Sequence, residues 1–431
     1  MRITIYRGTH EIGGTLIECS TDKTRLLIDA GYPLFLNGLP IESGVAFMPP
    51  EKLMENGVLP AINGLYSWDK PSFDAVIISH AHIDHYGLTK YAHPDIPIYV
   101  SAGTETLIEI SRTFKIYDSF PINTNRFNMS EPFSIGDILV KPYLMDHSAF
   151  DAAAFEIKGQ GKTVIYSGDF RGHGRKSVCL DVFIQKASKQ ADLLLTEGTL
   201  LGRLDEKVKT EYLLEEEVIN EVKDRNGPVL FQCSSQNIDR IVSFYKAARK
   251  LGKTFVIDIY TANVLYDLRQ LGNKLPYPCK SYPNIKVYPY RITRKISDEI
   301  GDVYAKRFTP YRLSEEIIRD EQNNIFMLVR PSMLNDLKKC NLKNGLFIYS
   351  LWKGYRSGDY QKRFEDFLRK QGFTISPQIH TSGHATLADI QRLIKGLNPK
   401  RIVPIHSMNP HLLKEFSDKV EVMEDGKQFF A

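Results

Sequence analysis

The chain has 431 residues, 42% apolar and 25% charged, with a formal net charge of +5. That is an ordinary globular composition, with length enough for two or three domains. No apolar run approaches the roughly 20 residues of a membrane helix, and MRITIYRGTHEIGG lacks the apolar stretch of a secretory signal.

Five scattered cysteines without a C-x-x-C pair argue against a disulfide framework or zinc knuckle and for a reducing cytoplasm. Residues 201–365 hold about 29 Lys and Arg against about 21 Asp and Glu. A basic middle suits a polyanionic partner as well as it suits a solvated surface.

In chain order, RITIYRG, GTLIECS, RLLIDAG, DAVIIS, IPIYVS, ILVKPYLM, AAFEIK, KTVIYSGDF and ADLLLTEG read as strands. SAGTETLIEISRTFKI reads as a helix capped by Thr104, and residues 33–70 as Pro- and Gly-rich loop with short helices. From about residue 205 helices and strands alternate. EKVKTEYLLEEEVINEVKDRNG, NIDRIVSFYKAARKLG and TANVLYDLRQLG are helices between the strands GPVLFQCS, KTFVIDIY and NIFMLVR. GLFIYS, KRFEDFLRKQG, FTISPQIH, TLADIQRLIKGLN and KRIVPIHS continue the rhythm of a parallel α/β arrangement.

The chemistry concentrates in SHAHIDHYGL. Three of the chain's eleven histidines fall within residues 80–85, just past the apolar strand AVIIS. His80 and His82, two apart, share one side of an extended backbone, with Asp84 and His85 at the turn that follows. Imidazole and carboxylate at a strand end suit zinc, with manganese or iron as alternatives. His147, Asp169 and His406 each close another apolar strand, and His384 sits in a Gly turn before a helix.

SHAHIDHYGL, DHSAF and SGDF resemble the motifs of the metallo-β-lactamase superfamily. TEGTL, HTSGHA and VPIH, in that order, resemble those of its β-CASP branch, nucleases such as ribonuclease J and the mRNA 3′-end cleavage factor. The resemblance spans nearly the whole chain. It implies an α/β fold: an αββα sandwich from residues 1–200 and 366–431, with an inserted α/β β-CASP domain over 201–365.

It also implies two zinc ions, with Mn²⁺ an alternative. His80, His82 and His147 hold one, Asp84, His85 and His406 the other, and Asp169 bridges them. Asp29, in LLIDAG, braces the metal loop. Glu197 orients His384, which gives a proton to the leaving group; Asp84 counts with these two among the catalytic groups. The ions activate water to hydroxide for in-line attack on a phosphodiester, and a positioned histidine suits the proton transfer. RNA-processing members carry histidine where this chain has His406, so the implied substrate is single-stranded RNA, cut as an exo- or endoribonuclease. DNA cleavage, hydrolysis of a small ester, thioester or lactam, and a silent RNA-binding subunit are the alternatives.

Weaker signals are Ser235, in SSQNIDR, and His380, Ser382 and Gly383, which are candidates for phosphate contact. SYPNIKVYPYRITRK and AKRFTPYR interleave aromatic and basic residues, as stacking surfaces for single strands do. Where relatives commonly have His-Gly-Glu this chain has His406-Ser407-Met408, and VRPSML resembles the 3′-end cleavage type more than ribonuclease J. A homo-oligomer is compatible with the sequence.

Overall fold

The computed structural model describes the chain except residues 37, 42–43, 46–47, 117–123, 204–207, 273 and 292–298. The chain divides into two units, one of residues 1–108, 118–207 and 383–431, the other of 109–117 and 208–382. Among the described residues no helix is long and apolar enough to cross a membrane.

Two sheets build the first unit. One holds, in spatial order, Gln428–Phe430, Arg2–Arg7, Leu16–Ser20, Arg25–Ile28, Ala75–Ile77, Ile98–Ser101 and Thr124–Phe127. The other holds Arg401–Ile405, Leu193–Glu197, Lys162–Tyr166, Ala153–Gly159, Ile138–Leu144 and Phe133–Ile135. Alternate residues supply the shared core, because side chains two apart share a face. Ile3, Ile5, Leu26, Ile28 and Ile77 of one sheet meet Val140, Phe155, Ile157, Val164 and Leu195 of the other. The opposite set, Ile165 and Leu194, packs under the helices Val178–Lys186 and Leu387–Leu397 through Leu180, Phe183, Ile390 and Leu393. This is the sandwich the sequence implies.

What positions the site is the parallel part of each sheet. Arg25–Ile28 runs parallel to Ala75–Ile77, and Leu193–Glu197 runs parallel to both Lys162–Tyr166 and Arg401–Ile405. Such strands present polar loops at their C-terminal ends. Pro142 sits inside the strand Ile138–Leu144, where its missing N–H is tolerated because the outer strand pairs only with residues 138–140.

The second unit has one all-parallel sheet in the order Ile285–Tyr288, Thr254–Asp258, Ile325–Leu328, Val229–Gln232, Leu346–Tyr349 and Thr374–Ile375. Its strands are mostly apolar, Ile325–Leu328 and Leu346–Tyr349 fully buried, as befits strands covered on both faces. Thr210, Asn237 and Asp258 cap the helices Glu211–Val222, Ile238–Lys250 and Ile259–Gln270 by accepting from the backbone N–H three residues on.

Two local expectations fail. Thr104 does not cap its helix, which starts at Ala102; the hydroxyl of Ser101 accepts the N–H of Thr104 instead. FTISPQIH contributes only the two residues Thr374–Ile375 to the sheet, since Pro377 has no N–H to offer a ladder.

Candidate metal centre

All the residues of the centre belong to the first unit, and each follows the end of a strand. After Ala75–Ile77 the chain passes Ser79 and His80, then turns into the one-turn helix Ile83–Tyr86 with His82 at its start. The loop Asp29–Gly31 clasps that helix: Ala30 N–H donates to His85 O and Tyr32 N–H to Ile83 O. Gly31 is required there, because a Cβ would fall 1.7 Å from the Asp84 carbonyl oxygen.

Asp29 is fully buried in the left-handed region, at φ 56°. Its Oδ1 accepts Ser79 N–H at 2.7 Å, and its Oδ2 accepts Ser79 Oγ, His85 Nδ1 and Tyr166 OH at 2.8, 2.8 and 2.5 Å. The carboxylate thus fixes the His85 ring with Nε2 turned toward the centre.

His82 Nδ1 lies 3.1 Å from His80 Nε2 and 3.1 Å from His147 Nε2. The far nitrogens of those two rings are held from behind, His80 Nδ1 by Ser79 Oγ at 3.0 Å and His147 Nδ1 by Gly383 O at 2.6 Å. On the other side His406 Nε2 lies 3.2 Å from Asp84 Oδ2, and His85 Nε2 3.9 Å from it. Asp169 stands between the two groups. Its Oδ2 is within 3.9 Å of a ring nitrogen from each of His80, His85, His147, His384 and His406, the nearest being His85 at 3.2 Å.

This donor set fits divalent cations. Burial drives His80 and His147 well below the ordinary histidine value and His82 down to about 4, so three neutral rings aim lone pairs at one point. Asp84 is held down to about 2, since the His406 and His85 rings overrule the effect of burial. His85 Nε2 and Asp169 Oδ2 are buried with no well-formed hydrogen bond among the described residues, and both face the gap between the groups. The ligand atoms of His80, His82 and His147, and those of Asp84, His85 and His406, lie within 4.8 Å of one another in each set. Nitrogen and carboxylate donors in such trios match zinc or a similar ion.

Beside this centre, Glu197 ends the strand Leu193–Glu197. Its Oε1 accepts the N–H groups of Phe170 and Ala385, and its Oε2 lies 3.2 Å from His384 Nδ1. Burial alone would lower the His384 pKa, but the Glu197 and Asp169 carboxylates raise it to about 9. Thr199 adds a contact that sequence reasoning missed: its Oγ1 lies 3.1 Å from His384 Nδ1 and 2.9 Å from His406 Nδ1. TEGTL carried the signal, but only its glutamate was assigned there. Tyr166 was missed as well, reading simply as a strand residue.

The candidates for phosphate contact have the following settings. Ser235, in the second unit, is buried and bonded to Thr261 and Arg330, and the helix cap beside it is Asn237. His380 accepts from the fully buried Arg240, which pairs with Glu211 at 3.1 Å. Ser382 is buried at the end of that unit, and Gly383 supplies the carbonyl that holds His147. His173 is buried near Asp169 in sequence. Residues 292–295 of SYPNIKVYPYRITRK lie outside the described residues.

Residues 24–216 match the model of a beta-lactamase superfamily domain, and residues 375–426 that of a Zn-dependent metallo-hydrolase RNA specificity domain. Ribonuclease J of Sinorhizobium meliloti is 25% identical over 403 residues, which cover 89% of this chain and 66% of that protein. Ribonuclease J of Helicobacter pylori strain B128 is 23% identical over 467 residues, covering 99% and 60%. An RNase J-like protein of Methanocaldococcus jannaschii is 27% identical over 278 residues, covering 60% and 58%. The chain thus spans less than two thirds of the length of these relatives. A crystal structure of a protein of unknown function from Enterococcus faecalis V583 shares the fold, with a TM-score of 0.79, 23% identity and 99% of each chain covered.

Proposed function

Because the chain belongs to the β-CASP branch of the metallo-β-lactamase superfamily, we propose that it is a two-metal hydrolase that cuts single-stranded RNA in the cytoplasm. The second unit is read as the inserted β-CASP domain. The observation that carries this reading is the convergence of ring nitrogens from His80, His85, His147, His384 and His406 within 3.9 Å of Asp169 Oδ2, with a hydrogen-bonded Glu197–His384 pair at their side. RNA as the substrate is supported by the RNA specificity domain match and by the ribonuclease J names of the relatives.

In this reading His80, His82 and His147 would hold one zinc ion, Asp84, His85 and His406 would hold the second, and Asp169, between the two groups, would serve both. Two such ions, when bound, supply Lewis acidity toward the phosphodiester and acidify a water molecule at neutral pH. The chain's own residues do the rest. Asp29, Ser79, Gly383 and Thr199 fix the ring orientations from behind, so that little reorganisation accompanies the reaction. Glu197 holds Nδ1 of His384, and His384 gives its proton to the leaving oxygen. The basic second unit supplies attraction for the phosphate backbone.

The test is metal content together with cutting of 5′-labelled single-stranded RNA bearing a 5′-monophosphate or a 5′-triphosphate. Two equivalents of zinc or manganese and cleavage of RNA are expected. Labelled mononucleotide marks an exonuclease, and labelled fragments an endonuclease. His384→Ala should slow turnover while leaving the metal content intact. Intact RNA alongside hydrolysis of a simple ester refutes the reading.

A further inference from the structure

The second unit contains a cavity that the cleavage chemistry leaves unexplained. It is about 390 Å³ in volume, between the C-terminal end of the helix Ile238–Lys250 and the turn Cys279–Asn284. That volume lies within the about 300–1,000 Å³ range of small-ligand sites. Tyr245, Arg249, Lys253, Ser281, Tyr282 and Asn284 line it, and no carboxylate is among its lining residues.

We propose that this cavity binds one nucleotide, with the base against Tyr282 and the phosphate between Arg249 and Lys253. Its strand source rests on the RNA reading above.

Three observations support it. First, the cations have no acidic partner. Lys253 is half-buried; its ammonium donates to Asn323 O at 2.7 Å and makes no ion pair among the described residues. Burial lowers its pKa, and no neighbouring charge offsets that. A lysine drawn out of water without a carboxylate is what an anion site requires. Arg249 is exposed, likewise unpaired among the described residues, and lies over the Tyr245 ring.

Second, the aromatic pair is organised. Tyr245 and Tyr282 meet edge to face with centroids 6.0 Å apart, and Arg269 lies 5.9 Å from the Tyr282 ring centre and 5.4 Å from that of Tyr277. A planar base stacks on such a ring with little regard to its identity. Ser281 and Asn284 add hydroxyl and amide groups for sugar or base edges.

Third, the cavity continues the aromatic and basic stretch of the second unit. The cavity lies beside Thr254 and Asn284, at the N-terminal ends of the edge strand Ile285–Tyr288 and its neighbour Thr254–Asp258. Reactive sites of parallel sheets gather at the opposite ends. Tyr282, Lys286 and the exposed Arg291 belong to the stretch whose aromatic and basic alternation stands out in the sequence.

The experiment measures binding by the full chain of AMP and of a phosphorothioate single-stranded oligoribonucleotide, which resists cutting. Arg249→Ala/Lys253→Ala and Tyr282→Leu are compared with the unsubstituted protein, with melting temperature as the check on folding. Arg249→Gln serves as a variant that cannot unfold the unit, since its side chain lies in solvent. Affinity should fall roughly tenfold in Tyr282→Leu. The double variant should also lose about 0.7 from the slope of log affinity against log salt, one phosphate's worth. Loss with AMP alone assigns the cavity to a free nucleotide, and loss with the oligonucleotide alone to a strand; either supports the site. Unchanged affinities and slopes, or no binding of either ligand to the unsubstituted protein, overturn it. A protein that binds through the cavity yet cuts no RNA overturns only the hydrolase reading.

Discussion

Replacing Thr199 with valine keeps the side chain's volume and removes one oxygen. Thr199 is 3% exposed, so water has little room to substitute for its hydroxyl. Two ring nitrogens touch it, but unequally. His384 Nδ1 retains Glu197 Oε2 at 3.2 Å, whereas Thr199 Oγ1, at 2.9 Å, is the one hydrogen-bond partner of His406 Nδ1 among the described residues. The cost therefore centres on one buried nitrogen left without a partner, about 1–3 kcal/mol. Groups that orient metal ligands from behind typically matter by about 10–100-fold in affinity or activity. Thr199→Val should accordingly lose between about ten- and a hundredfold in kcat or in metal affinity, and Thr199→Ser should restore most of it. Initial rates on labelled RNA, with elemental analysis of the same samples, measure both. A valine variant that holds its full complement of metal and works within about twofold of the unsubstituted protein refutes the idea that this hydroxyl sets the ring orientations.

Gly31→Ala should release metal and lower the melting temperature, because the new methyl group meets the Asp84 carbonyl; Gly358→Ala, with nothing within 4 Å, is the control that should do neither. Asp29→Asn should cost about 3 kcal/mol or more in urea unfolding, since its amide nitrogen would confront donors from Ser79, His85 or Tyr166. Asp192 is held down to about 2, with Lys400, the Thr163 N–H and Lys162 overruling the effect of burial. A carboxyl depressed on folding stabilises above its unfolded value near 3.9 and loses that contribution as pH falls toward 2. The melting-temperature gap between the unsubstituted protein and Asp192→Asn should therefore close between about pH 4 and 2; a gap constant with pH rules out this linkage.

The centre was legible where chemistry and local pattern coincide. His80, His147, Asp169 and His406 are polar residues closing apolar strands, a conjunction that core packing does not favour, and the structure gathers them. Asp29 and Glu197 came from the resemblance, and their hydrogen bonds give each a physical setting. Thr199 and Tyr166 escaped because one hydroxyl in a turn or strand says nothing of the distant partner it faces, the His384 and His406 rings for Thr199 and the Asp29 carboxylate for Tyr166. Ser101 in place of Thr104 as a cap is the usual uncertainty of a helix start, where neighbouring hydroxyls compete. Arg240, in the stretch whose Ser235 suggested phosphate contact, is spent inside the second unit on Glu211, Ser350 and Thr381.

A ribosome makes Leu193–Glu197 roughly two hundred residues before its outer neighbour Arg401–Ile405. At about 5–20 residues per second, that apolar strand waits some 10–40 s with one row of amides and carbonyls open. In that interval it can zip onto a strand of another nascent chain as readily as onto its own. Slower decoding of residues 198–400 lengthens the exposure, so the yield of soluble protein should depend on translation speed and on holding chaperones even where the finished fold is stable.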